Sequence, residues 1–155
     1  MNAHEFFVAI QQRNADYAAA IDTPNLPAWV ELFTEDGLYL AQPRENADRG
    51  LPLATIRCEG KGMLRDRVLA IQKTMVFTPR YVRHIISAPN VSDFVGMKSV
   101  SNFVVFQTLH MQPTQILATG EYRDEWLLEN TQLKLKVRRA VFDTELVPNS
   151  LIYPL

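Results

Sequence analysis

The sequence is poor in the residues that most often hold redox centres. Its 155 residues include one cysteine, Cys58, and three histidines, His4, His84 and His110. A lone cysteine cannot close an internal disulfide, which points to a reducing, cytoplasmic setting, and Cys58 reads as a small half-buried hydrophobe. An iron–sulfur cluster needs several thiolates, or two thiolates with two imidazoles, so this chain is expected to hold none. No two histidines lie within five residues of each other, so no helical pair can offer two imidazoles to one ion. A facial triad would have to unite His84 and His110 across separate strands, and no metal ligands are expected. An excess of charge is missing too: sixteen Lys and Arg meet seventeen Asp and Glu, for a formal net charge of -1. That balance supplies no basic field for nucleic acid or anionic lipid. The apolar run Phe103-Val104-Val105-Phe106 falls far short of the ~20 residues that cross a bilayer. Met1 to Glu5 carries no positive cluster ahead of a long apolar stretch, so no signal peptide is expected. Gly60-Lys61-Gly62 completes neither phosphate-binding glycine motif and reads as a helix entry, and no G-x-S-x-G elbow occurs.

What is present is ordinary globular composition, 47% hydrophobic and 21% charged. A chain of this size hides about 70% of its extended surface on folding, enough for one core, and a single domain over residues 1–155 is expected. Phe6, Ile10, Tyr17 and Ile21 recur at helical steps, and Asp22-Thr23-Pro24-Asn25 breaks that pattern. A shorter helix is predicted to carry Leu26, Trp29, Val30, Leu32 and Phe33 inward and to end at Asp36-Gly37. A short strand is expected at 38–41, and a loop from Pro43 to Pro52. Helical period returns from Met63 to Met75 through Leu64, Val68, Ile71 and Met75. Residues 81–87, 101–110, 115–127 and 133–144 are rich in Val, Ile, Phe, Thr and Tyr and read as strands. Pro89-Asn90, Met111-Gln112-Pro113 and Glu129-Asn130-Thr131 separate them at hairpin-like spacing. Leu133 to Arg138 alternates strictly, as in a strand with one buried and one wet face. Helices followed by an antiparallel run indicate an α+β fold, a strongly curved sheet wrapped around the helices as a cone.

Acid–base chemistry in the hollow of such a cone is the catalytic option the residues leave open, with Asp16, Tyr17, Tyr39 and His84 as its candidates. The alternative for the same residues is structural: tyrosines padding the core, Asp16 in solvent and His84 hydrogen-bonded. Asp66, Arg67, Arg80 and Arg83 read as ion-pairing groups within or between subunits. The apolar tail Leu151-Ile152-Tyr153-Pro154-Leu155 needs something to pack against, so Leu151, Ile152, Tyr153 and Leu155 join them as interface candidates.

Several strings together carry a family likeness. Tyr17-Ala18-x-x-Ile21-Asp22 precedes Trp29-x-x-Leu32-Phe33-Thr34-Glu35-Asp36-Gly37-x-Tyr39. Pro43-Arg44-Glu45-Asn46, Met63-Leu64-x-Asp66-Arg67 and Arg80-x-x-Arg83-His84-Ile85-Ile86-Ser87 follow, then Gly120-Glu121-Tyr122-x-Asp124 and Arg139-Ala140-Val141-Phe142-Asp143. In this order they resemble the small β subunits of bacterial aromatic-ring-hydroxylating dioxygenases. The Pro-Leu ending is similar to the branch acting on terephthalate, anthranilate, salicylate or benzoate. The resemblance implies an NTF2-like or ketosteroid-isomerase-like cone and a structural role, with no catalytic, cofactor-binding or metal-binding residue in this chain. It implies a partner α subunit holding a Rieske [2Fe-2S] cluster and mononuclear Fe(II), an α3β3 assembly with a β trimer, and electrons from NADH through a reductase or ferredoxin. A stand-alone isomerase, dehydratase or cyclase using Asp16, Tyr39 and His84 is the competing expectation.

Overall fold

Asn2 starts the first helix because its side chain accepts the Glu5 backbone N–H while the Glu5 carboxylate accepts the Asn2 N–H, each at 2.9 Å. The structure, a computed structural model, describes residues 1–74, 76, 78–147 and 150–155. Helix α1 (Ala3–Asp22) buries Phe6, Ile10, Asn14, Tyr17, Ala20 and Ile21 along one face, which includes all four expected apolar positions. Helix α2 (Leu26–Val30) tolerates Pro27 in its first turn and buries Leu26, Trp29 and Val30.

This second helix is shorter than expected, because strand pairing takes over its end. Strand β1 (Phe33–Pro43) begins where Leu32 accepts the Leu135 N–H at 2.8 Å and Phe33 lies opposite Leu135. Asp36-Gly37, expected to stop a helix, instead lies at a register shift within the strand. Helix α3 (Arg44–Asp48) forms within the stretch from Pro43 to Pro52 expected to be loop, and strand β2 (Ile56–Glu59) forms beyond it, where no element is predicted. Gly60, at φ +76°, turns β2 into α4 (Gly60–Thr74), which buries Leu64, Val68 and Ile71. Met75, the fourth expected position, lies outside the described residues.

Strands β3 (Arg80–Ile86), β5 (Lys98–Leu109), β6 (Gln115–Glu129) and β7 (Gln132–Phe142) form where the sequence predicts them. The short β4 (Asn90–Asp93), which the sequence does not predict, starts at the expected break Pro89-Asn90 and pairs with the start of β5. The sheet runs β2-β1-β7-β6-β5-β3, with β4 against β5. It is mixed rather than wholly antiparallel: β1 and β7 are parallel, a pairing that requires a long crossover and has nearly the whole intervening chain to make it. Helix α1 packs on β3 and α4 on β1.

Two irregularities set which side chains face inward. The β5–β6 register passes from Val105↔Ala118 to Phe106↔Ile116, skipping Leu117. The β6–β7 register passes from Trp126↔Leu135 to Glu125↔Val137, skipping Lys136. Before Lys136 the buried residues of β7 are Leu133 and Leu135; beyond it the alternation resumes on Arg138 and Ala140, and the strand ends in the buried pair Val141 and Phe142. One extra residue has exchanged the two faces of the strand.

Candidate functional site

The exchange of faces at Lys136 delivers a guanidinium to the centre of the protein. Arg138 is fully buried, and its Nε and Nη2 donate to the two carboxylate oxygens of Asp124 at 2.9 and 2.8 Å. Nη2 also donates to Asn14 Oδ1 at 2.6 Å, and Asn14 Nδ2 donates to Ser101 Oγ at 3.2 Å. The guanidinium carbon sits 4.2 Å from the Tyr17 ring centre and 4.1 Å from that of Tyr122. Two aromatic faces and one bidentate carboxylate therefore offset the loss of water around the cation. Burial works against its charge, but Asp124 and the tyrosines push its proton affinity above the usual arginine value. Burial likewise raises the Asp124 carboxyl, against the pull of Arg138.

Around this pair stands an aromatic wall. Tyr17 and Tyr122 meet edge to face at 5.7 Å, Tyr122 stacks on Phe103 at 4.5 Å, and Trp29 meets Tyr39 at 5.4 Å. Desolvation pushes the Tyr17 phenol up to about 12, with Arg138 and the neighbouring Trp29 and Tyr39 restraining the rise. The same burial raises Tyr39 and Tyr122 well above the ordinary phenol value.

His84, on β3, lies at 6.3 Å edge-on to Tyr17. Its Nδ1 is 2.6 Å from Asp22 Oδ1, and its backbone N–H donates to both Asp22 oxygens at 3.0 and 3.2 Å. Asp22, the last residue of α1, thus fixes the ring. Asp16, a candidate for the same interior, instead lies on the outer side of α1, paired with Arg13 at 3.3 Å and accepting from Gln12 at 2.9 Å, as the structural alternative expects. Of Asp16, Tyr39 and His84, the fold brings Tyr39 and His84 to the interior and leaves Asp16 outside.

The tail enters the same interior. Leu155 is fully buried; Tyr17 donates to its oxygen at 2.5 Å and Tyr39 at 3.3 Å, while its N–H donates to Tyr39 Oη at 2.8 Å. Arg67 Nη2 donates to the carbonyls of Leu151 and Ile152 at 3.0 and 2.7 Å. Leu151, Ile152 and Leu155 are packed into the chain's own core, Tyr153 is half-buried, and Arg67 holds the tail. Asp66 and Arg83 are exposed, and Arg80 donates to Gln107 Oε1 at 2.8 Å. Among the described residues no group of three His, Cys, Asp or Glu is placed to hold a metal ion, and no helix is long and apolar enough to cross a membrane.

Asn14, Asp22, Asp124 and Arg138 had no assigned role in the sequence reading. Asn14 had a visible signal, since it lies four residues after Ile10 and three before Tyr17, on the apolar phase of α1. Asp124 had one as well, between Tyr122 and Trp126 on the inward phase of β6.

The sequence model for the ring hydroxylating beta subunit matches residues 16–149. The chain belongs to that family. This β subunit is 33% identical over 141 residues to the anthranilate 1,2-dioxygenase small subunit of Burkholderia cepacia, covering 90% of this chain and 88% of that one. It is 29% identical over 150 residues to a terephthalate 1,2-dioxygenase terminal oxygenase component subunit beta 2 of a Comamonas species, covering 96% and 97%. A crystal structure from Novosphingobium aromaticivorans DSM 12444, assigned as the β subunit of an aromatic-ring-hydroxylating dioxygenase, superposes with a TM-score of 0.90 at 35% identity over 99% of each chain. A chain from the same organism assigned as a scytalone dehydratase shares the fold alone, with a TM-score of 0.68 and 20% identity over 94% of this chain and 88% of that one. The β subunit therefore has the NTF2-like α+β fold, and its relatives are components of ring-hydroxylating dioxygenases.

Proposed function

We propose that this β subunit is a non-catalytic scaffold in the cytoplasm, assembling as α3β3 with an α subunit that carries the Rieske cluster and mononuclear Fe(II). That α subunit hydroxylates an aromatic carboxylate, with electrons from NADH through a reductase or ferredoxin, and the isolated β chain performs no redox step. The observation that carries the reading is the outward face of the sheet. Tyr81 and Ile85 on β3 and Ile116 on β6 are 80, 55 and 57% exposed. Tyr81 lies opposite Thr108, Arg83 opposite Phe106, Ile85 opposite Val104, and Phe106 opposite Ile116, so these residues share one apolar patch around the exposed Arg83. An apolar centre with a charged anchor is what a subunit interface uses, and a stable one covers about 800 Å² per partner. Asp66, Arg67, Arg80, Arg83 and the tail residues Leu151, Ile152, Tyr153 and Leu155 remain our candidates for shaping interfaces, directly or by bracing the surface beneath.

Replacing Tyr81 and Ile85 together by Asp in the chain co-produced with its α subunit tests this. Light scattering is expected to show loss of the αβ complex while the β chain keeps its far-ultraviolet spectrum; an unchanged complex mass would overturn the assignment of this face. The second reading, a stand-alone isomerase, dehydratase or cyclase, is favoured by the Asp22–His84 pair beside Tyr17. It requires the isolated chain to turn over an enolisable ketone and Asp22→Asn to abolish that turnover; no turnover by the purified chain ends it.

A further inference from the structure

Arg67, Ala70, Ile71 and Thr74 follow one another at helical steps along α4, so they form one stripe of its surface. Across from this stripe run Ser150, Leu151 and Ile152 of the tail, and the two elements enclose a cleft of about 190 Å³. Arg67 is its one charged member. Nη2 is committed to the carbonyls of Leu151 and Ile152, at 3.0 and 2.7 Å. The buried Nε has no acceptor among the described residues, nor does any carboxylate among them pair with the guanidinium. Asp66, its neighbour in sequence, lines a different cleft, between α2 and α4. Two carbonyl dipoles solvate the cation without neutralising it, in contrast to Arg138, whose charge Asp124 matches. An under-compensated, half-buried cation at the wall of a cleft is what an anion would complete.

The rest of the lining narrows the class of anion. Ala70, Ile71, Leu151 and Ile152 are apolar, and Thr74 spends its hydroxyl hydrogen on the Ala70 carbonyl at 2.7 Å. The donors left in the cleft are therefore Arg67 and Ser150. One cation matches a single negative charge, and an inorganic anion would lose its water against apolar walls that return nothing for it. The volume lies below the roughly 300–1,000 Å³ of sites for drug-sized molecules, so the occupant has about the bulk of one ring. We propose that the cleft between α4 and the tail binds a small organic monocarboxylate with a compact apolar body. The carboxylate pairs with the uncommitted edge of the Arg67 guanidinium, and the body lies against Ile71, Leu151 and Ile152. Because the same guanidinium holds the tail, an occupied cleft fastens the tail to α4 and stabilises the docked state by mass action. The proposal stands apart from the scaffold reading, since it asks nothing of an α subunit.

The test uses the full chain and three probes: benzoate, its neutral isostere benzamide, and inorganic phosphate. Benzoate is expected to raise the thermal midpoint saturably and to slow hydrogen exchange of the Leu151 and Ile152 amides. Benzamide, which lacks the charge, and phosphate, which lacks the apolar body, should each bind about ten-fold more weakly or worse. Arg67→Met should lose benzoate binding by at least about ten-fold as well. Since Arg67 also holds the tail, Ala70→Phe is the second variant: Ala70 is exposed on α4, so the ring fills the cleft and leaves Arg67 in place. That chain should keep its far-ultraviolet spectrum and bind benzoate about ten-fold more weakly. Benzamide or phosphate binding as tightly as benzoate would overturn the proposal, as would undiminished benzoate binding by Ala70→Phe. Absence of saturable benzoate binding by the unmodified chain would overturn it too.

Discussion

Arg138 and Asp124 are both fully enclosed, and each is tolerable only because the other is present. A buried pair adds little net stability, yet removing one member strands an uncompensated charge. Asp124→Asn is therefore expected to cost about 3–5 kcal/mol in urea unfolding, and Asp124→Asn with Arg138→Met less than the sum of the two single changes. A loss below about 1 kcal/mol for the single change would mean that the guanidinium finds water the structure does not show it reaching. The sequence concealed this pair for a definite reason. Strict alternation from Leu133 puts Arg138 on the same face as Lys134 and Lys136, the wet one, and only the bulge at Lys136 brings it inside. His84 was legible because it stands on the inward phase of its strand between Val82 and Ile86. Its carboxylate partner was not, since Asp22 is the final residue of α1, where the helix period no longer fixes a direction.

Elements with long, regular patterns were legible: α1, α4 and strands β3, β5, β6 and β7 form close to where period and composition predict. The pieces that escaped, α3, β2 and β4, are five, four and four residues long and depend on neighbours distant in sequence, β2 on β1 and β4 on β5. The end of α2 shows the same competition, since pairing of Phe33 with Leu135 overrides local helical preference. The β6–β7 connection was legible as a turn but not in its geometry. Glu129 pairs with Gln132, leaving the two-residue loop Asn130-Thr131 with φ +46° and +69°. Both positive values mark a type I′ turn, which suits Asn followed by Gly and strains a β-branched threonine. Thr131→Gly relieves about 1–2 kcal/mol of left-handed strain and gives back roughly 0.5–1 kcal/mol through the freer unfolded chain. A net gain of about 1 kcal/mol is expected, read as a higher thermal midpoint; a lower one would show that Thr131 is held there by contacts worth more than its strain.

At the scale of the whole molecule, the three buried tyrosines make the fold sensitive to base. Tyr17, Tyr39 and Tyr122 meet around Arg138 and Leu155, where a phenolate would have to form without water. Tyr17 keeps its proton up to about 12 in the folded chain, whereas an unfolded tyrosine gives it up near 10. Below about pH 10 both states hold the proton and the stability from this group is fully present. As pH rises through the window from 10 to 12 the unfolded state alone releases it, so unfolding becomes easier with each step. Two units correspond to about 3 kcal/mol from Tyr17, a large share of the 5–15 kcal/mol typical of a domain, and Tyr39 and Tyr122 act in the same direction. Stability should thus fall steeply above pH 10, and Tyr17→Phe should shallow the fall even though it loses the bond to Leu155. Absorbance at 295 nm followed together with far-ultraviolet dichroism decides the matter: ionisation of the three buried phenols must coincide with loss of structure. Complete tyrosine ionisation in a chain that keeps its native dichroism would mean that water reaches the interior, and that the tail does not seal it.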